Sequence, residues 1–124
     1  MRYDGGSMSP LPHYYKEERP WGSFERFVAN EVSTVKILHV LPGKRFSLQK
    51  HAHRSEFWRV VEGSGTLTLG EEEREVTVGD EVSIPVGTLH RLRGGPNGIK
   101  VLEIMSGDYD EEDIEHIEDD FGRT

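Results

Sequence analysis

Two short stretches of the chain hold side chains able to bind a cation or move a proton. The first runs from Gly43 to Gly63 and carries Arg45, Ser47, Gln49, His51, His53, Arg54 and Glu56. The second runs from Gly79 to His90, where Pro85 and Gly87 form a rigid corner ahead of the histidine. In an extended strand alternate side chains share a face, so Gln49 and His51 project together, with Arg45 and Ser47 on the same side. His53 has the same parity, but the chain is expected to turn soon after His51. There is no cysteine, so a metal here must sit on nitrogen and oxygen donors. Histidines at the surface are common without any ligand role, and a pair of them is weak evidence by itself. Two registers stand open at this point: His51 with His53, or Gln49 with His51.

These residues must be positioned by strands. From Phe24 to Ser106 the pattern is short β-type runs separated by glycine and proline. The expected strands are Phe24–Val28, Ser33–Val40, Arg45–His51, Phe57–Glu62, Thr66–Leu69, Arg74–Val78, Glu81–Ile84, Leu89–Arg93 and Ile99–Ser106. Breaks are expected at Pro42-Gly43, Gly63-Ser64-Gly65, Gly70, Gly79-Asp80, Pro85–Gly87 and Gly94–Gly98. So many short strands with regular turn signals predict a closed or sandwiched all-β fold. Helical spacing arises only in Glu111–Glu118, where Ile114 and Ile117 predict one short C-terminal helix.

At 124 residues the chain has the length of one domain. Met1–Pro12 reads as a flexible leader and residues 13–124 as a single domain. The net charge of −8 is unevenly placed: Asp108 to Asp120 holds nine acidic residues and no Lys or Arg. The remaining 1–107 carry 14 acids and 14 Lys plus Arg, a formally neutral body. No basic surface outweighs the acids, so a nucleic-acid partner is not expected. The acidic stretch reads as a solvated face or tail. No apolar run reaches the roughly 18 residues a bilayer span requires, and no apolar secretory core opens the chain. With the lack of cysteine, this predicts a cytoplasmic protein with no membrane partner.

The two stretches resemble the paired motifs of the cupin superfamily. Gly79, Pro85, Gly87 and His90 fit the second motif, with Gly94 where an Asn commonly closes it. The first motif fits at every interval as Gly43-x5-Gln49-x-His51-x4-Glu56-x6-Gly63. The resemblance therefore places Gln49 in a slot usually held by His, and implies a metal set of Gln49, His51, Glu56 and His90. It also implies the fold: a small cupin, a double-stranded β-helix or jelly-roll barrel.

A narrower likeness spans residues 19–123. Arg19-Pro-Trp-Gly22, Ser47-Leu-Gln-x-His-x-His-Arg-x-Glu-x-Trp58, Ile84-Pro-x-Gly-x-x-His-Arg91 and Asp113-Ile114 through Glu118-Asp-Asp-Phe-Gly-Arg123 resemble the type II phosphomannose isomerase family. Members commonly form the carboxy-terminal half of bifunctional proteins; the likeness covers none of the guanylyltransferase half, so no nucleotide transfer is expected. Met105 stands where the family usually has Gln, and Asp110-Glu111 where it has Leu-Gly.

What the resemblance implies is metal-dependent isomerisation of mannose 6-phosphate to fructose 6-phosphate through an enediol. The cofactor would be one divalent ion, Zn²⁺ foremost, with Mn²⁺, Fe²⁺, Ni²⁺ or Co²⁺ also suited to the donor set. His53, which titrates near neutrality, is one candidate base. Glu103 is the other: it interrupts the apolar alternation of Ile99, Val101 and Met105, and either acts in catalysis or pairs with Arg45. Arg45 and Arg54 are the candidate phosphate-binding residues, whereas Arg91 and Arg93 alternate outward. Trp21 and Trp58 wall the sugar site or belong to the core. Two other functions remain open: a sugar- or sugar-phosphate-binding cupin without turnover, and a small cupin dioxygenase. An open edge strand predicts a homodimer, with Arg19–Val28 crossing or covering the partner.

Overall fold

Glycines expected to separate strands instead bend two long ones. In the computed structural model, which describes residues 2–3, 11–107, 110 and 112–122, ten strands and no helix are present among the described residues. They are β1 (Arg2–Tyr3), β2 (Tyr15–Arg19), β3 (Gly22–Arg26), β4 (Thr34–Val40), β5 (Leu48–Lys50), β6 (Arg54–Leu69), β7 (Glu72–Thr77), β8 (Glu81–Ile84), β9 (His90–Gly107) and β10 (Glu115–Glu118). Strand β6 has 16 residues and β9 has 18, each joining two runs that the glycine pattern had divided.

The join is possible because glycine lets the bent strands approach. A Cβ on Gly63, which has φ +77°, would lie 2.2 Å from the carbonyl oxygen of Gly98. One on Gly94 would lie 2.4 Å from that of Leu41. Only a residue without a side chain fits either place. Across the bends the pairing changes partners. The first half of β6 lies between β8 and the second half of β9, which also carries β4. The second half of β6 lies between β7 and the first half of β9, which continues through β5 to β10.

Both halves feed one core. Trp58, Val60, Val82, Ile84, Ile99 and Val101 from the first pack in one cluster with Leu67, Val76 and Leu92 from the second. The β8 sequence Glu-Val-Ser-Ile shows the driving pattern, with Val82 and Ile84 buried and Glu81 and Ser83 exposed. The all-β expectation thus holds.

The expected C-terminal helix does not form. Glu115–Glu118 is strand β10, antiparallel to β5, with Glu115 opposite Lys50 and His116 opposite Gln49. Two isoleucines cannot offset crowded acids along a helix, whereas the edge of β5 offers unpaired backbone groups.

The chain divides into two compact units, residues 1–33 and 34–124. In the first, β2 and β3 form a hairpin whose tip is Pro20-Trp21, with Trp21 exposed. Most of the expected Met1–Pro12 leader lies outside the described residues; within it Arg2–Tyr3 pair with β2, and Leu11 is buried. No helix among the described residues is long and apolar enough to cross a membrane.

Candidate metal centre

The inward alternation of β6 sends Arg54, Glu56, Trp58 and Val60 to the interior, so a cation and an acid enter the fold ahead of the apolar core. His90 opens β9 directly opposite Gln49 of β5. His51 follows β5, and its carbonyl accepts the backbone N–H of Gly87 at 2.8 Å. The Pro85–Gly87 corner is thereby tied to the ligand strand. His51, Glu56 and His90 are all buried, and one donor atom from each lies within 4.8 Å of the other two.

Each imidazole is fixed by a backbone carbonyl. Nδ1 of His51 lies 2.6 Å from the carbonyl oxygen of Asp113, and Nδ1 of His90 lies 2.9 Å from that of Thr88. A carbonyl only accepts, so Nδ1 carries a proton in both rings and Nε2 is the atom turned toward the cluster. His51 Nε2 lies 3.1 Å from one oxygen of Glu56, and His90 Nε2 lies 3.8 Å from the other. Donors bound to one ion at about 2.1 Å stand roughly 3.4 Å apart in a tetrahedral site. The spacing fits a metal.

The chemistry of the donors fits as well. Two ring nitrogens and the carboxylate oxygens of Glu56 converge here, donor types that a divalent cation takes. Arg54 meets part of that demand, with Nη2 at 3.2 Å from His51 Nε2 and Nε at 3.3 Å from Glu56. His90 Nε2 is buried with no hydrogen-bond partner among the described residues. Burial also pushes the His90 pKa down, favouring the neutral ring that a metal binds.

Residues 9–119 match the family described as mannose-6-phosphate isomerase C-terminal. The chain belongs to that family. It is 40% identical over 111 residues to the xanthan biosynthesis protein XanB of Xanthomonas campestris, covering 88% of this chain and 24% of that protein. It is 37% identical over 123 residues to the alginate biosynthesis protein AlgA of Pseudomonas aeruginosa, covering 98% and 26% respectively. The chain thus spans about a quarter of the length of these relatives. A solved sugar phosphate isomerase of the cupin superfamily from Silicibacter pomeroyi superposes with a TM-score of 0.54 at 25% identity, over 61% of this chain and 51% of that one. The fold is a cupin.

Within this mannose-6-phosphate isomerase C-terminal domain, the residues singled out by sequence separate into two groups. His51, Arg54, Glu56, His90 and Glu103 are buried in the interior. Gln49 stands across from His90, and its side-chain oxygen accepts from Ser47 Oγ at 2.8 Å. His53 and Arg45 lie outside: His53 is 73% exposed and 3.6 Å from Asp113. Arg45 does not pair with Glu103; its guanidinium forms two hydrogen bonds to Asp120, at 2.8 and 3.0 Å.

Glu103 pairs instead with Trp58 and Glu56. The indole N–H of Trp58 lies 3.0 Å from Glu56 and 2.9 Å from Glu103, bridging the two carboxyl groups. Burial, reinforced by the hydrogen bond to Glu56 and by its charge, pushes Glu103 up to about 8. Burial also works to raise Glu56, but hydrogen bonds from His51 and Glu103 outweigh it and hold Glu56 below the ordinary carboxylate range. One proton therefore sits between the two acids, on the Glu103 side.

Sequence reasoning missed three of the groups that hold the donors, Thr88, Asp113 and His116, and placed Ser47 on the ligand face without giving it a role. Two of the contacts come from backbone carbonyls, which no residue type advertises. Arg91, expected outside, does face away from the cluster but is covered by the C-terminal segment, where it bonds Glu118 and the Phe46 carbonyl. The acidic stretch is accordingly no bare solvated tail, since Asp113, Glu118 and Asp120 each hold a partner.

Proposed function

We propose that this chain is a metal-dependent aldose–ketose isomerase acting on mannose 6-phosphate and fructose 6-phosphate. One observation carries the reading: a buried set of two imidazoles and a carboxylate, with His90 Nε2 lacking a partner among the described residues, in a chain of the mannose-6-phosphate isomerase C-terminal family. His51, Glu56 and His90 would hold a divalent ion, with Gln49 as the fourth ligand. When bound, Zn²⁺, or Mn²⁺, Fe²⁺, Ni²⁺ or Co²⁺ in its place, supplies Lewis acidity that polarises a sugar carbonyl.

The residues themselves divide the remaining work. Isomerisation takes a proton from the carbon beside the carbonyl and returns it to the neighbouring carbon, so no atom is gained or lost. Glu103 is the favoured proton carrier, being buried one hydrogen bond from Glu56, whereas the His53 ring faces solvent; raised to about 8, it takes the carbon-bound proton in its ionised form, the minor share at neutral pH. Arg54 brings a buried guanidinium to the same cluster, suited to a sugar oxyanion or phosphate oxygen. Arg45 serves the phosphate only if it leaves Asp120.

The test is purified protein loaded with Zn²⁺, Mn²⁺ or Co²⁺, given mannose 6-phosphate, with coupled detection of fructose 6-phosphate. Turnover that disappears in His51→Ala supports the reading. Bound metal without turnover overturns it in favour of a sugar-phosphate-binding cupin. That second reading has its own support, because both candidate proton carriers are already engaged, His53 with Asp113 and Glu103 with Trp58 and Glu56.

The reading includes a homodimer. Among the described residues β4 pairs only with β9, and its outward Val35 and Ile37 are 55% and 46% exposed. A monomer by light scattering at micromolar concentration overturns it.

A further inference from the structure

The acidic segment 112–118 runs along the ligand strand and reaches the supports of two donors, His51 and Gln49. Backbone pairing lays β10 along β5, with Glu118 opposite Leu48, His116 opposite Gln49 and Glu115 opposite Lys50. Ahead of that strand, the Asp113 carboxylate accepts the backbone N–H groups of Ala52 and His53, at 2.8 and 2.9 Å. Its own carbonyl oxygen takes the Nδ1 proton of His51 at 2.6 Å. Further along, His116 Nδ1 lies 2.6 Å from Ser47 Oγ, which in turn bonds the Gln49 side-chain oxygen. Arg91 fastens the far end through the side chain and the carbonyl of Glu118. A cleft of about 430 Å³ reaches His51 between this segment and the Val86–Gly87 corner.

We propose that residues 112–118 form a strap that positions the metal donors, with Asp113 orienting His51 and His116 orienting Gln49 through Ser47. Asp113 and His116 are positioning residues: neither offers an atom to the donor cluster, and each acts through a residue that does. The Asp113 clamp has two parts that depend on each other. Its carboxylate fixes the Ala52–His53 turn, and that fixed turn keeps its carbonyl on the His51 ring. Without the carboxylate, the carbonyl is free to drift and the imidazole to rotate, so Nε2 no longer faces Glu56. His116 acts similarly: with Nδ1–H donating to Ser47, the serine hydroxyl is left to donate to Gln49, which holds the amide in one orientation. Glu112, Glu115 and Glu118 remain exposed, whereas the Asp113 carboxylate is covered. Asp113 and Glu118 are the two anchor points, one at each end of the segment.

This inference rests on the metal-binding reading above, and the experiment separates the two. Co²⁺ affinity is measured by competition with a chelator, together with the visible Co²⁺ spectrum, for wild type, Asp113→Ala, Asp113→Asn, His116→Ala and Asp120→Ala. Outer partners of metal-binding side chains are worth about 10- to 100-fold in affinity. Asp113→Ala is expected to lose about that much and to change the spectrum, and His116→Ala to lose about 10-fold. Asp113→Asn, which keeps one acceptor for the turn, is expected to recover part of the loss. Asp120→Ala, beyond the strap, is expected to stay within about twofold. If Asp113→Ala does not fold, Asp113→Asn and His116→Ala decide the matter. Wild-type affinity and spectrum in both Asp113→Asn and His116→Ala would overturn the strap. Failure of the wild type itself to bind Co²⁺ would overturn the metal centre and the strap with it.

Discussion

The interior of the barrel has two regions buried to the same degree but stabilised in opposite ways. Leu67, Leu92 and Val101 are fully buried among other apolar side chains. Full burial of such a side chain contributes about 1.5–3 kcal/mol by removing it from water. A few residues away on the same strands, Arg54, Glu56, His90 and Glu103 are buried as well. There, burial costs free energy, and the loss is offset only by matched partners: the indole bridge of Trp58, the Arg54 contacts and the carbonyl of Thr88. The first region explains why the chain folds. The second opposes folding, and that sets it apart as the candidate site.

The comparison breaks most visibly at His90. Leucine there matches the buried volume and removes the Nε2 atom that has no partner among the described residues. His90→Leu is expected to weaken Zn²⁺ or Co²⁺ binding by more than about 100-fold, beyond the loss of an outer partner. Its metal-free stability in urea should change by less than about 1.5 kcal/mol, in either direction. A drop of several kcal/mol would mean that the imidazole is part of the fold's support and not a feature kept for its chemistry.

Glu103→Gln sharpens the same contrast. The amide oxygen accepts from Trp58 and the NH₂ donates to Glu56, so the hydrogen bonds of the protonated acid survive without a proton to exchange. Metal affinity and melting temperature should stay close to wild type, while isomerase turnover falls by about 10²–10⁴. Unchanged turnover would remove Glu103 from the reaction and return attention to His53. In the apolar region the pattern reverses. Leu92→Ala should cost about 2–5 kcal/mol in urea denaturation, while the folded fraction still binds one equivalent of metal.

The two regions were unequally legible in the sequence. The apolar one followed from alternation, as in Glu81-Val-Ser-Ile84, and the turns from glycine and proline. His51, Glu56 and His90 came from the spacing of two motifs, and the structure brings these three together. Glu103 was visible as an acid in an apolar row, but not its partners, because Trp58 and Glu56 lie on a neighbouring strand whose register one sequence does not reveal. The strap was hidden by its composition. Ile114 and Ile117 at helical spacing imitate a helix face, and crowded acids suggest a solvated run. Only the meeting of β10 with β5 shows that Asp113 and His116 face positions 47–53. Arg45 was expected on the ligand face, but it lies ahead of β5 and its side chain pairs with Asp120, which is remote in sequence.

The smallest effect belongs to that pair, and it separates surface support from the buried cluster. The hydrogen bond from Arg45 holds Asp120 below its ordinary value of 3.8, and the two side chains are 31% and 44% exposed. A carboxyl whose pKa is lowered on folding adds stability above its unfolded pKa and loses it as pH falls through the folded value. The contribution should therefore be complete at neutral pH and vanish in strong acid. Salt should screen it as well. Asp120→Asn is expected to melt slightly below wild type at pH 7, with the gap narrowing below pH ~4 and with added salt. A gap that stays constant down through that range would show that Asp120 supports the fold by packing or by a neutral hydrogen bond. Arg45 would then no longer be bound to Asp120 by charge, and its guanidinium would become available to a phosphate.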